Sequence, residues 1–269
     1  MIRRQHTANA FSTASSAKEE WPAKADVIVV GFGCAGACAA LEAARGGANV
    51  VILERFAAGG CSTARSGGVL YFGGGTEIQS AAGVEDSEEN MMAYLKAQCC
   101  GSGAVSLETV RDFCTRSKEN LRFLQNIGVS FRNSRGEVQL YGKKTYYPPS
   151  YATLYTSGNE GASPYNTQAR PASRGHRVFG EGLTGGVLFE KLRAAVESHP
   201  RIHVREHCKV SELISSDDGR VEGVICSEIL PWGALRDFHT QVAEATSNAA
   251  LFSRCALTLA TYQFPPTSE

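Results

Sequence analysis

Asp26-Val-Ile-Val-Val-Gly31-Phe-Gly33-Cys-Ala-Gly36-Ala-Cys-Ala-Ala-Leu-Glu-Ala-Ala-Arg45-Gly-Gly-Ala-Asn-Val50-Val-Ile-Leu-Glu54 is the stretch that sets the fold of this chain. An apolar β-branched run enters a Gly-x-Gly-x-x-Gly turn, an alanine-rich helical stretch follows, and a second apolar run ends on an acid. That order is the one of a dinucleotide-binding β-α-β unit. Val27 to Val30 lack polar alternation, as expected of a strand covered on both faces of a parallel sheet. Gly31 allows the tight turn, Gly33 lets backbone amides approach a pyrophosphate, and Gly36 lets the helix pack close to the sheet. Ala35 to Ala44 form a good helix whose amino end favours an anion, and Gly46-Gly47 stops it. Glu54 lies at about the 20-residue distance expected of a carboxylate that accepts from an adenosine ribose hydroxyl. The plain alternative is a glycine turn with no ligand. Strand, turn, helix, strand and acid in register weigh against it.

The following residues, Ala58-Gly-Gly60-Cys-Ser62-Thr-Ala-Arg-Ser66-Gly67-Gly68-Val-Leu-Tyr-Phe-Gly-Gly-Gly75, expose far more bare backbone than a nicotinamide fold needs. They resemble the Gly-Gly-x-Ser…Ser-Gly-Gly segment of FAD-dependent oxidoreductases related to fumarate reductase and succinate dehydrogenase flavoproteins, and most of all the branch containing 3-ketosteroid Δ1-dehydrogenase-like enzymes. The resemblance implies a segment that follows the flavin pyrophosphate and passes beside the isoalloxazine ring, where small residues let main chain reach the cofactor. A merely flexible Gly/Ser loop is disfavoured by the interleaved Val69-Leu70-Tyr71-Phe72.

The chain has 269 residues and an apolar fraction ample for a buried core. Its 27 Lys and Arg balance 27 Asp and Glu, with no basic run interleaved with aromatics, which argues against nucleic acid or an anionic membrane as partner. No apolar stretch reaches the length of a membrane span. Nine scattered cysteines, odd in number, point to a reducing compartment and buried thiols. Cys34 and Cys38 share one helix face, but no further Cys or His stands nearby to complete a metal site, so no metal is expected. Residues 1–24 read as a loosely ordered arm. A cytoplasmic location follows, with a short organellar presequence as the alternative, opposed by Glu19 and Glu20.

Further along, apolar residues recur at helical spacing over 86–97 and 106–126, the second helix capped by Ser106 and buried through Val110, Phe113, Cys114, Leu121, Phe123 and Leu124. Gly128 to Asn133 and Glu137 to Tyr141 around Ser134-Arg-Gly136 read as a hairpin. Tyr141 to Ala172 read as a long loop of lid type, in which Tyr146, Tyr147, Tyr151 and Tyr155 are candidates to face a ring substrate or to pack at the surface. Arg174, His176 and Arg177 near a glycine-rich helix start suit an anionic or carbonyl oxygen, and equally suit a bridge from Arg174 between cap and base. Thr184 is expected to cap the helix 185–198. Strands follow at Ile202–Val204 and Cys208–Ile214, then the turn Ser216–Arg220 and a strand from Val221.

The resemblance spans roughly Trp21 to His239, and by it Val210 presents its backbone to the adenine. Beyond, the chain lacks the returning Ala-Thr-Gly-Gly strand, the second half of the cap and the closing Gly-Asp motif of the family, so a C-terminally truncated flavoprotein is expected, with residues 244–269 mildly helical and an unpaired sheet edge. The fold class is α/β: a Rossmann-like FAD-binding domain with a parallel sheet, a β-hairpin element and part of an α+β cap. The division is an arm at 1–24, the nucleotide domain at 25–105 and 181–230, the partial cap at 106–180 and a tail at 231–269. The resemblance implies an oxidoreductase moving a hydride between flavin N5 and a carbon next to a carbonyl, its small-molecule substrate a ketosteroid or a fumarate-like acid. The alternatives are a non-catalytic nucleotide-binding fragment and a nicotinamide dehydrogenase. Gly31, Gly33, Gly36, Glu54, Gly60, Ser62, Ser66, Gly67, Gly68 and Val210 are the expected cofactor residues. No catalytic residue is singled out, and oligomeric state is open.

Overall fold

The computed structural model describes residues 25–100, 103, 105–229 and 235–238. The N-terminal arm and the expected helical tail lie outside the described residues. Strands β1 (Val27–Val30) and β2 (Val50–Leu53) flank helix α1 (Cys34–Arg45), and β7 (Ile202–Arg205) joins them in a parallel sheet of order β1-β2-β7. The pairing is in register, Val27 opposite Val50 and Val50 opposite Ile202. All three strands therefore finish together, and the Gly31 turn and Glu54 emerge at the same edge, where ligands of open parallel sheets bind.

Side-chain alternation builds two layers on this sheet. Val29, Val50 and Ile52 face α1 and α6 (Gly185–Glu197), joining Ala37, Ala40, Leu41, Leu188 and Leu192 in the main core. Val51 and Leu53 face the other way, onto Cys208, Val224 and Cys226 of the hairpin formed by β8 (Cys208–Ser215) and β9 (Val221–Ile229). That hairpin turns at Ser216–Arg220 as expected, closed by Ser216 N–H to the Arg220 carbonyl at 2.9 Å. Its outer partner is β10 (Leu235–Phe238).

Between β2 and α6 the chain makes α2 (Cys61–Ala64), β3 (Val69–Tyr71), α3 (Glu77–Ala81), α4 (Glu88–Cys99), α5 (Leu107–Asn126), β4 (Leu140–Lys144), β5 (Leu154–Thr156) and β6 (Gly175–Arg177). Ser106 caps α5, its hydroxyl accepting from Thr109 N–H at 3.1 Å. The sheet β3-β6-β5-β4 packs Leu70 and Leu154 into the same core as β1 and α1, while Val110 and Cys114 of α5 form a smaller cluster with Met91 of α4. No described helix is long and apolar enough to cross a membrane.

Five sequence expectations need correction. Val30 is 56% exposed, so β1 is not covered along its whole length, and among the described residues its outer edge has no neighbour. The hairpin expected at 128–141 is only a turn: Asn133 N–H reaches the Glu137 carbonyl, but no ladder forms, because β4 starts at Leu140 and pairs parallel with β5 instead. The supposed loop 141–172 therefore carries two strands, and Tyr155, 1% exposed, belongs to the interior while Tyr146, Tyr147 and Tyr151 stay exposed. On α5 the polar Ser117 is fully buried, whereas Phe113 and Phe123 are only partly covered. Thr184 precedes α6 but its side chain does not cap it.

These packing differences are measurable. Leu192→Ala, at a fully buried position of α6, should cost about 2–5 kcal/mol in urea denaturation, while Val30→Thr should stay within about 0.5 kcal/mol. Equal losses would contradict the open face of β1.

Candidate functional site

The glycine turn sits where β1 ends. Gly31 has φ +95°, and its N–H still reaches the Leu53 carbonyl at 2.8 Å. A Cβ on Gly36 would stand 2.0 Å from the Gly31 carbonyl oxygen, so only glycine lets α1 begin this close to the turn. Gly33 precedes α1 with no side-chain cap, and the first turn of α1 holds no acidic residue. Helix geometry leaves first-turn N–H groups without intrahelical acceptors. Cys34 N–H is taken by Thr63 Oγ1 at 3.0 Å.

Glu54, at the end of β2, is 4% exposed. Its Oε2 accepts from Phe32 N–H at 2.7 Å and its Oε1 from Phe56 N–H at 2.8 Å. The carboxylate thus holds the middle of the glycine turn, and each oxygen keeps a lone pair for a further donor. Gly60 N–H donates to the Phe32 carbonyl at 2.7 Å, with φ +80° at Gly60. Ser62 and Ser66 are exposed, whereas Gly67 is partly covered and Gly68 buried. Cys208 N–H donates to the Glu54 carbonyl at 2.8 Å, which puts β8, and Val210 two residues on, beside the same edge. Val210 itself is half-buried against the hairpin core. Gly31, Glu54 and Gly60 are thus tied together at one sheet edge, whereas Ser66, Gly67 and Gly68 are bonded to the chain around the start of α6.

A second polar cluster holds the Gly73-Gly74-Gly75 turn. Arg174 and Asp86 form a solvent-free ion pair, Nη2 to Oδ1 2.7 Å and Nε to Oδ2 2.8 Å, which is the bridging role and not the anion-holding one. Asp86 Oδ2 also accepts from Gly74 N–H at 3.0 Å, and Ser117 Oγ accepts from Gly73 N–H at 2.8 Å. Burial pushes the Asp86 carboxyl up, but the Arg174 hydrogen bonds and charge outweigh it and hold it at about 2. His176 is buried, its Nδ1 2.9 Å from the Arg174 carbonyl and its Nε2 2.9 Å from Thr76 Oγ1. A carbonyl only accepts, so Nδ1 carries the proton and Nε2 accepts from the threonine hydroxyl. Burial first of all lowers this imidazole to about 4, against the pull of the Arg174 carbonyl. Tyr71 donates to Glu160 Oε1 at 2.8 Å, and burial raises both groups above their ordinary values. Arg177 donates to the carbonyls of Ser150, Gly180 and Gly182.

Residues 26–265 match the model of a family described as FAD binding domain. The chain belongs to that family. Its cofactor is FAD. The chain is 36% identical over 249 residues to 3-oxo-5-alpha-steroid 4-dehydrogenase of Comamonas testosteroni, covering 91% of this chain and 45% of the relative. It superposes with TM-score 0.72 and 34% identity on 3-ketosteroid-delta4-(5alpha)-dehydrogenase of Rhodococcus jostii RHA1, solved with 4-androstene-3,17-dione, covering 86% of this chain and 46% of that one. It also matches the open conformation of a flavocytochrome c3 fumarate reductase, with TM-score 0.58, 25% identity and coverage of 76% and 30%. The chain thus spans less than half the length of these relatives. The Rossmann-like α/β fold and the relation to ketosteroid dehydrogenases and fumarate reductase agree with the sequence reading.

The residues present fit FAD. Unopposed first-turn amides suit a pyrophosphate, a buried carboxylate with spare lone pairs suits a ribose, and side-chain-free backbone follows. Sequence reasoning missed Thr63 and Asp86. Neither carries a local signal, since their partners lie 29 and 88 residues away. Cys34 and Cys38 lie on the buried face of α1, and among the described residues no three His, Cys, Asp or Glu side chains gather as a metal site.

Acid should remove stability in two windows. His176 is lowered in the folded state from 6.5, so the unfolded chain binds the extra proton first, and stability falls as pH drops from about 6.5 to about 4. Asp86 is lowered from 3.8, so its contribution is lost only as pH falls further, towards about 2. Urea titrations of His176→Asn should show the upper window flattened. An unchanged slope there would contradict a neutral buried His176. Arg174→Met should cost about 3–5 kcal/mol, because Asp86 is left buried and unpaired.

Proposed function

We propose that this chain is the nucleotide-binding portion of a flavin-dependent oxidoreductase, and that the whole protein moves a hydride between flavin N5 and a carbon next to a carbonyl of a ketosteroid-like substrate. The observation that carries this reading is that Glu54 and the segment Gly60–Thr63 are both bonded to the Gly31–Gly36 turn at the edge of the parallel sheet. In it the amides around Gly33 and Gly36 bind the pyrophosphate, Glu54 accepts from the adenosine ribose, and the Val210 backbone faces the adenine. Gly60, Ser62, Ser66, Gly67 and Gly68 line the path to the ring. FAD when bound supplies the hydride chemistry, and the protein supplies position and electrostatics.

A neutral ketone is preferred over a fumarate-like acid for a physical reason. Arg174 is neutralised by Asp86, and His176 is held neutral by burial, with its two ring nitrogens occupied by Thr76 and the Arg174 carbonyl. Arg177 donates to the carbonyls of Ser150, Gly180 and Gly182, so all three groups that the sequence marked for an anionic or carbonyl oxygen are engaged elsewhere. We assign residues 25–105 and 181–230 to the nucleotide domain and 106–180 to the cap side, and the cytoplasm as the location, in keeping with the scattered cysteines. A second reading, a chain that holds nucleotide without turnover, is favoured by the outer edge of β1, which has no neighbour among the described residues.

Glu54→Gln keeps the shape but removes the charge and one acceptor, and should weaken FAD binding about 10- to 100-fold. Quenching of flavin fluorescence on titration measures it. An unaltered dissociation constant would take Glu54 out of the site.

A further inference from the structure

Three consecutive carbonyls of the Ser66-Gly67-Gly68 segment are held from the chain that enters α6. Gly185 N–H donates to Ser66 O at 3.0 Å, the Thr184 hydroxyl to Gly67 O at 3.0 Å, and Val178 N–H to Gly68 O at 2.9 Å. Thr184 is fully buried, and its hydroxyl crosses to Gly67 instead of capping its own helix. The contact is tight on both sides. A Cβ on Gly68, whose φ is +65°, would meet Thr184 Oγ1 at 2.4 Å, and one on Gly185 would meet Thr63 O at 2.1 Å and Ser66 Oγ at 2.4 Å.

A planar trans peptide points its C=O and the next N–H in opposite directions. With the Ser66 carbonyl aimed at Gly185, the Gly67 N–H must point away from α6. The neighbouring amides have acceptors: Ser66 N–H reaches Thr63 O at 3.1 Å, and Gly68 N–H reaches Ser66 Oγ at 3.3 Å. Among the described residues the Gly67 N–H has none. Ser62, Arg65 and Ser66 around it are exposed.

We propose that Thr184 is a positioning residue for the flavin: with the Gly185 and Val178 amides it fixes the peptide planes of residues 66–68 and presents the Gly67 N–H as a hydrogen-bond donor to an acceptor atom of the ring. This rests on the FAD reading above. The hydroxyl is the one side-chain member of the set, and Val in its place keeps the volume while leaving the Gly67 carbonyl unpaired.

The test combines variants with a measurement on the unaltered chain. Thr184→Val should weaken FAD binding about tenfold and change the visible circular dichroism of the bound flavin, and Thr184→Ser should restore both. A folded Thr184→Val with native affinity and native flavin dichroism would overturn the proposal. Amide exchange of Gly67 in the unaltered chain, followed by NMR, needs no variant. FAD should slow it by at least about tenfold. Bound FAD with an unprotected Gly67 amide overturns the proposal and leaves the cofactor reading standing, whereas failure of the unaltered chain to take up FAD overturns both.

Discussion

A glycine-rich loop can approach a cofactor closely only if something other than its own side chains holds its backbone. Here each loop has a polar side chain from elsewhere in the chain bonded to its backbone. Glu54 accepts from Phe32 in the first turn, Thr63 from Cys34 at the start of α1, and Thr184 donates to Gly67. Asp86 and Ser117 accept from Gly74 and Gly73. Buried backbone groups must be paired, and these five residues do the pairing where no ladder or helix is available. These glycine loops are thereby held as ordered, bare backbone.

The same rule explains where charge is buried. Asp86 could not hold the Gly74 amide as a carboxylate in the interior without a counter-charge, and Arg174 supplies it with two hydrogen bonds. Such a pair adds little net stability against an apolar replacement, but it fixes geometry. A Cβ on Gly73 would meet Asp86 Oδ2 at 2.8 Å and Arg174 Cδ at 2.9 Å, so the ion pair, the glycine turn and β6 are mutually fitted. His176 then completes the arrangement as a neutral ring between Thr76 and the Arg174 carbonyl, edge-on to Phe72 and Phe131.

What could be read from the sequence was what is local. The β-α-β unit, the Ser106 cap and the Ser216–Arg220 hairpin each consist of neighbouring residues whose spacing states the geometry, and their positions agree with expectation. The family likeness was legible for the same reason, in short glycine motifs. What escaped was set by distant partners. Leu140–Lys144 pairs with Leu154–Thr156, not with the segment before its turn, because β5 offers a strand already tied into the sheet through β6. Thr184 has the composition of a cap, yet its hydroxyl finds the Gly67 carbonyl, a contact that only the folded chain creates. Val30 reads as core by pattern, but among the described residues it stays 56% exposed.

We propose that these pinned loops form a nucleotide site within this chain. An absorption spectrum of the purified protein, with heat release of bound flavin and its quantitation against protein, tests that claim most directly. The protein should be yellow and carry FAD in near-equal proportion to chain, directly or after incubation with added FAD. A colourless protein that refuses added FAD would contradict it.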